Sequence, residues 1–250
     1  MANKIEIRDL CKSFGSKHIL KNIDLDVPEG RSLVILGGSG SGKSVLLKTI
    51  IGILKADKGS IRVDGQETLG MSHKSRVTLL EKFGMLFQGG ALFDSITVWE
   101  NITFGLRQRQ KISDHDAIEI ATEKLKQVGL SPDTAKLFPS ELSGGMQKRV
   151  SLARATCMKP EIIFFDEPTT GLDPILASVI NELIVETVKK LGATTVTITH
   201  NMSSMTRIAD DVALLYKGNV IWRGTGEEVW KTDNPHVTQF IHGHAEGPMA

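Results

Sequence analysis

The 250-residue chain predicts an α/β fold, and three observations carry that prediction. Short apolar runs of strand length recur at 33–36, 83–87 and 162–165, and a β-branched run at 194–199, with helical patterns between them. A glycine-rich loop, Gly37-Gly38-Ser39-Gly40-Ser41-Gly42-Lys43-Ser44, joins the first run to the apolar stretch 45–54, which reads as a buried helix. Between 96 and 157 strand signals vanish and helical ones dominate, which predicts a helical insertion between strands.

The elements justify this in order. Residues 4–36 are β-rich: Ile5 and Ile7 alternate with polar residues, as do Ile23, Leu25 and Val27, and Pro28-Glu29-Gly30 makes a turn. Phe14, in Lys12-Ser13-Phe14-Gly15, is either a core aromatic or a platform for a nucleotide base. The loop 37–44 fits G-x-x-x-x-G-K-S/T between a strand and a helix, the context that confirms a P-loop. Its glycines let backbone N–H groups curl toward phosphate oxygens, and the helix N-terminus adds positive potential there. Lys43 supplies a cation for the β/γ-phosphates of a nucleotide, and the Ser44 hydroxyl is a ligand for Mg²⁺.

Residues 59–63 with Asp64-Gly65 read as a strand entering a hairpin, and 71–82 as a polar helix. The run 83–87 ends at Gln88, where a Gln can reach Mg²⁺ or an attacking water, and Gly89-Gly90 give that loop freedom. Helices are expected over 97–109 and 113–128, the second capped by Ser113 and closed by Gly129, with Pro132 just beyond. Leu142-Ser143-Gly144-Gly145-Met146-Gln147 opens a helix reaching about Cys157; its start is either a second anion-binding surface or an ordinary capped turn. The run 162–165 delivers Asp166 and Glu167 to a strand's carboxyl end, the first placed to hold Mg²⁺ through water and the second to polarise a water for attack. Thr170-Gly171-Leu172-Asp173-Pro174 is a turn into a helix over 175–191. The β-branched strand 194–199 ends at His200, which either contacts a γ-phosphate or is hydrogen-bonded structure. A last hairpin turns around Lys217-Gly218-Asn219.

Composition narrows the class. Hydrophobic content of 40% and charged content of 24% are ordinary for a soluble globular protein. A net charge of +1 gives no field that favours nucleic acid. Cys11 and Cys157 form no CxxC and suit a reducing compartment. The N-terminus has no apolar signal region, and no run reaches roughly 18 apolar residues, so no direct membrane span is expected.

These motifs in this order resemble the ATP-binding cassette (ABC) ATPases over about residues 4–230. Walker A is Gly37–Ser44, the Q-loop residue Gln88, and the signature Leu142-Ser143-Gly144-Gly145-Met146. Walker B is 162–166 with Glu167, the D-loop Gly171-Leu172-Asp173, the switch histidine His200, and Phe14 takes the adenine-stacking place. The resemblance implies a single ABC ATPase domain over 1–250: a P-loop NTPase, RecA-like core with a helical subdomain at about 91–157 and a tail at about 232–250. It implies a head-to-tail homodimer around two ATP with Mg²⁺. Ser143, Gly144 and Gly145 act in trans, Asp173 and Val45 contact the nucleotide, Glu167 is the base, and His200 positions it.

Val45 stands where most cassettes have Thr, and Met146 where Gln is commoner. With the stretch Ala91-Leu92-Phe93-Asp94-Ser95 and the tail Gln239-Phe240-Ile241-His242-Gly243, these look like the ATPases of Mla-type phospholipid transporters. That group implies an integral-membrane permease, an MCE-domain protein, often a STAS-domain protein, and a peripheral place on the cytoplasmic face of the inner membrane. The ATPase of an amino-acid or metal importer, or a soluble ABC ATPase without a permease, shares the same catalytic motifs.

Overall fold

The computed structural model describes residues 2–249. In chain order the elements are β1 (Asn3–Phe14), β2 (Lys17–Pro28), β3 (Ser32–Leu36), α1 (Lys43–Ile51), β4 (Lys58–Val63), β5 (Gln66–Glu67) and α2 (His73–Leu80). Next come β6 (Phe83–Leu86), α3 (Val98–Arg109), α4 (Asp114–Gln127), α5 (Gly144–Thr156), β7 (Ile162–Asp166) and α6 (Pro174–Leu191). The chain closes with β8 (Thr194–Thr199), α7 (Met202–Ile208), β9 (Asp211–Tyr216), β10 (Asn219–Thr225) and α8 (Pro235–His242). It divides into two compact units, Met1–Leu80 with Ala193–Ala250, and Glu81–Gly192.

In the first unit an antiparallel sheet runs β2-β1-β4-β5. The alternation seen in sequence is its inward face: Ile5, Ile7, Ile23, Leu25 and Val27 are fully buried. The hairpin of β1 and β2 is longer than that pattern shows, because bulges interrupt the period. At one of them Asp9 has φ 47°, and its N–H is held by Asp24 Oδ1 at 2.8 Å. Gly59 is required opposite: its φ is 102°, and a Cβ there would lie 2.6 Å from the Arg8 carbonyl oxygen.

The same unit holds β3 between parallel neighbours β8 and β9, with β10 antiparallel on β9. Residues 33–36 and the β-branched 194–199 are buried throughout, as continuous apolar and threonine runs in a covered parallel sheet should be. Helix α1 packs on β8 and β2, so the loop between β3 and α1 is fixed at both ends. Arg31 donates to both oxygens of Asp211, at 2.6 and 2.8 Å, clamping the start of β3 to the start of β9.

In the second unit β6 and β7 pair in parallel, Phe83 opposite Ile162 through Leu86 opposite Phe165. Between them the chain is helical: α3, α4 and α5 pack on one another, and α5 also packs on β6 and α6. Each start has a chemical cause. Glu100 reaches back to the Thr97 N–H at 2.8 Å and its hydroxyl at 2.6 Å, which holds its carboxyl below the usual range. The Ser113 oxygen accepts from the Asp116 N–H. Asp173 caps α6 by accepting from the N–H groups of Ile175 and Leu176, at 2.9 and 3.0 Å.

Three boundaries shift from the sequence expectation. Helix α2 is shorter than 71–82, β6 stops before Phe87, and the C-cap of α4 is Val128, with Gly129 following at φ 70°. Gly129 is then the residue after the cap, where a left-handed turn needs glycine. Among the described residues no helix is long and apolar enough to cross a membrane.

Candidate functional site

The phosphate loop lies in the first unit. Gly42 begins α1 at φ 109°, and Gly40 turns at φ 73°. Gly37 has an ordinary φ but no room: a Cβ would lie 2.5 Å from the Leu215 carbonyl oxygen. Lys43 is buried, and its ammonium donates to the carbonyls of Gly37 and Gly38 at 2.7 and 3.0 Å. The loop is therefore curled around its own cation. Ser41 Oγ is buried with no hydrogen-bond partner among the described residues, a donor suited to a phosphate oxygen. Ser39, Gly40 and Ser44 are exposed, and Gly38 and Val45 partly so. Lys43→Ala is expected to weaken ATP binding roughly ten- to hundredfold, the range of one charge-assisted hydrogen bond. Calorimetric titration checks this, and an unchanged affinity would show that phosphate binds elsewhere.

Two more candidate residues belong to this unit. Phe14 sits at the tip of the β1–β2 hairpin and is 50% exposed, so it is not a core side chain. The Lys12 ammonium lies over its ring, 5.2 Å from the centroid. His200 follows β8 directly and is exposed.

The second unit carries the acids, the signature and the loop after β6. Strand β7 ends in Asp166, and both Asp166 and Glu167 are buried. Glu167 has φ 48°, a left-handed conformation that costs a non-glycine residue on the order of 1 kcal/mol. Its carboxylate accepts from the Thr170 hydroxyl at 3.2 Å. Ser143 caps α5, accepting from the Met146 N–H at 3.3 Å, and with Gly144 it is exposed. Gly145 is buried, with Leu176 3.5 Å from where its Cβ would stand. Gln88 is exposed, and its main-chain carbonyl accepts from the buried Lys148 ammonium. Burial pushes the Lys148 pKa down, against the pull of the carboxylates of Asp166 and Glu167.

Beside this loop is an apolar groove of about 470 Å³, lined by Met85, Phe87, Ala91, Phe93, Phe104 and Met158 among others. The rings of Phe93 and Phe104 pack at 4.7 Å, and both are exposed. Asn101, fully buried, fixes the segment: its Oδ1 accepts from the Phe93 N–H at 2.8 Å, and its Nδ2 donates to the carbonyls of Phe93, Ile96 and Thr97.

Sequence reasoning did not single out Lys148, Ser151 and Arg154. Their only signal was spacing: polar residues at intervals of three on a helix that also carries Gln147, Arg149 and Thr156, among the apolar Val150, Leu152, Ala153 and Ala155. Their partners are backbone carbonyls of residues 88–91, which no side-chain pattern reveals.

A strand, a glycine loop curled on a buried lysine and a helix starting at that lysine define a P-loop nucleotide-binding protein. The family model described as "ABC transporter" matches residues 20–170, and the chain belongs to that family. It is the ATP-binding, ATP-hydrolysing subunit of an ABC transporter. It is 41% identical over its full length to the probable ribonucleotide transport ATP-binding protein mkl of Mycobacterium leprae, covering 72% of that protein. It is 38% identical over its full length to the intermembrane phospholipid transport system ATP-binding protein MlaF of Escherichia coli, covering 92% of it. Among solved structures, a dimeric ATP-binding cassette in a post-hydrolysis state with ADP and Pi aligns with a TM-score of 0.81 at 29% identity, over 88% of this chain and 98% of that one.

Proposed function

We propose that this subunit powers phospholipid transport as a homodimer docked on an integral-membrane permease, with an MCE-domain protein and a STAS-domain protein as further partners. The observation that carries the reading is the full-length match to MlaF, which covers nearly all of that phospholipid-transport protein. The Arabidopsis relative named trigalactosyldiacylglycerol 3, 40% identical over 98% of this chain and 75% of its own, carries a lipid in its name as well. The chain works from the cytoplasmic face of the inner membrane through the permease. It forms one ABC ATPase domain, with a helical subdomain at about 91–157 and a tail at about 232–250.

In this reading the N–H groups of Gly37–Gly42 and the Lys43 ammonium hold the phosphates, and Phe14 stacks on adenine. Ser143, Gly144 and Gly145 of one protomer close on the nucleotide of the other, with Val45 and Asp173 lining the same contact. Glu167 takes the proton of the attacking water, and His200 orients Glu167 and the γ-phosphate. The oxygens of Ser44, Gln88 and Asp166 are hard ligands of the kind Mg²⁺ prefers. Mg²⁺, when bound, neutralises charge developing on the phosphate oxygens.

The trans arrangement has its own test. A dimer of one Lys43→Ala protomer and one Ser143→Arg protomer places both lesions on one nucleotide and leaves the other pocket whole. It is expected to bind about one ATP per dimer more tightly than the Lys43→Ala homodimer, by the roughly tenfold or greater factor that Lys43 contributes, and more tightly than the Ser143→Arg homodimer, in which both pockets lack the signature serine. Equal binding by all three would sink the trans assignment.

Ribonucleotide transport is a second reading, favoured by the name of the mycobacterial relatives. Purifying the tagged chain from detergent-solubilised membranes, reconstituting it and measuring ATP-driven movement of labelled phospholipid separates the two. Co-purification of a permease with lipid movement supports the proposal. Nucleotide movement without lipid movement favours the second, and a chain that brings no membrane protein removes both.

A further inference from the structure

The helix that carries the signature also grips the loop after β6 by its backbone. Lys148 donates to the Gln88 carbonyl. Ser151 Oγ lies 3.0 Å from the Gly90 carbonyl and shares its single proton with the Gln147 carbonyl of its own helix, at 2.8 Å. Arg154 spreads its guanidinium over two carbonyls, Gly90 through Nη2 and Ala91 through Nη1, both at 2.7 Å. The three donors stand three residues apart on α5, so they form one stripe along the helix.

The loop is shaped to be gripped. Gly90 has φ 76°, and a Cβ there would lie 2.8 Å from Ser151 Oγ. Ala91 has φ 48°, a conformation a residue with a Cβ holds only when its surroundings impose it. The imposing group is the Arg154 fork on the carbonyls that flank that turn. Burial pushes the Arg154 pKa down, and no acid forms an ion pair with it among the described residues. Its charge is spent on main-chain oxygens. Ala91 and Arg154 also line the apolar groove.

We infer that Lys148, Ser151 and Arg154 are positioning residues that bind the loop Gln88–Ala91 and helix α5 into one moving piece, so that whatever seats in the groove sets the position of Ser143 and Gly145. The inference rests on the proposed docking to a permease and takes this apolar groove as the place where an amphipathic helix of that permease presses its apolar face, but the rigidity of the piece is a property of this chain alone. The planar fork holds its two carbonyls in one fixed relative geometry from two separate nitrogens, which the single, freely rotating ammonium of a lysine does not. Arg154→Lys therefore keeps the cation and loses the grip, whereas Ser151→Ala removes one hydroxyl and nothing else.

Hydrogen exchange on the full-length chain reads the first half. In both variants the amides of 88–93 and the first turn of α5 should exchange faster together, by about two- to tenfold, the range one hydrogen bond commands. The amides of α4 should exchange as in the wild type. The second half is read on the purified complex with its permease. The ratio of ATPase turnover in the complex to that of the isolated chain should fall by a similar factor, with KM for ATP within about twofold. Lys148→Arg, which keeps a donor for the Gln88 carbonyl, should preserve the ratio. Loop amides that loosen while the start of α5 exchanges as before would overturn the inference, as would a loosened loop with an unchanged turnover ratio. If Phe93→Asp leaves assembly with the permease intact, the docking reading fails separately, and the exchange result still decides whether loop and helix move as one.

Discussion

Glu167→Gln is expected to leave ATP binding in place while cutting turnover by about 10²- to 10⁴-fold, the usual contribution of a general base. The amide has the shape of the carboxylate and still accepts from the Thr170 hydroxyl, which lies 3.2 Å from Oε2 in the native side chain. It cannot take a proton from water at neutral pH. The backbone at φ 48° is also undisturbed, because the substitution begins beyond Cγ. Binding and hydrolysis should therefore separate: a nucleotide titration close to wild type, and a steady-state ATPase assay near background. Turnover within about twofold of wild type would take the base role away from Glu167. Loss of binding instead would mean that Glu167 holds the fold of the β7 end, where Asp166 and Glu167 are both buried.

Much of this was legible before any coordinates, for a local reason. A strand, four glycines and a helix start at Lys43 are contiguous, so sequence order and spatial order coincide there. The same holds for the strand ending at Asp166 and for the cap at Ser143. Phe14 was ambiguous because a core aromatic and a hairpin-tip aromatic look alike in one dimension. Only the length of the β1–β2 hairpin puts it at the tip. That length was hidden by bulges, which break the period of two that identifies strands. The grip of α5 on residues 88–91 was invisible for a different cause: its acceptors are carbonyls, and every residue has one. Asp173 has a second use beside the nucleotide contact proposed for it: in the fold it caps α6 through two N–H groups. Capping is a use that a proline at the next position already suggests.

Phe93→Asp is expected to abolish assembly with the permease, or ATP-driven transport, while the isolated subunit still folds and binds ATP. The geometry gives both halves of that outcome. Phe93 is 45% exposed and packs tilted against Phe104 in the groove lining, so its ring is at the surface and not in the core. What orders the segment is the main chain: Asn101 ties the N–H and the carbonyl of residue 93, and neither bond involves the phenyl ring. An aspartate there keeps both anchors, and the stability change should stay near the roughly 1 kcal/mol typical of a partly exposed substitution. An amphipathic helix pressing its apolar face into the groove would instead meet a carboxylate that must be desolvated without a hydrogen-bonding or cationic partner. The penalty of several kcal/mol for such burial corresponds to about a hundredfold or greater loss of affinity. Thermal melting and ATP titration of the isolated chain, followed by detergent co-purification with the permease, check the three clauses in turn. A variant that unfolds would place Phe93 in the core after all, and one that assembles and transports normally would move the coupling site away from this groove.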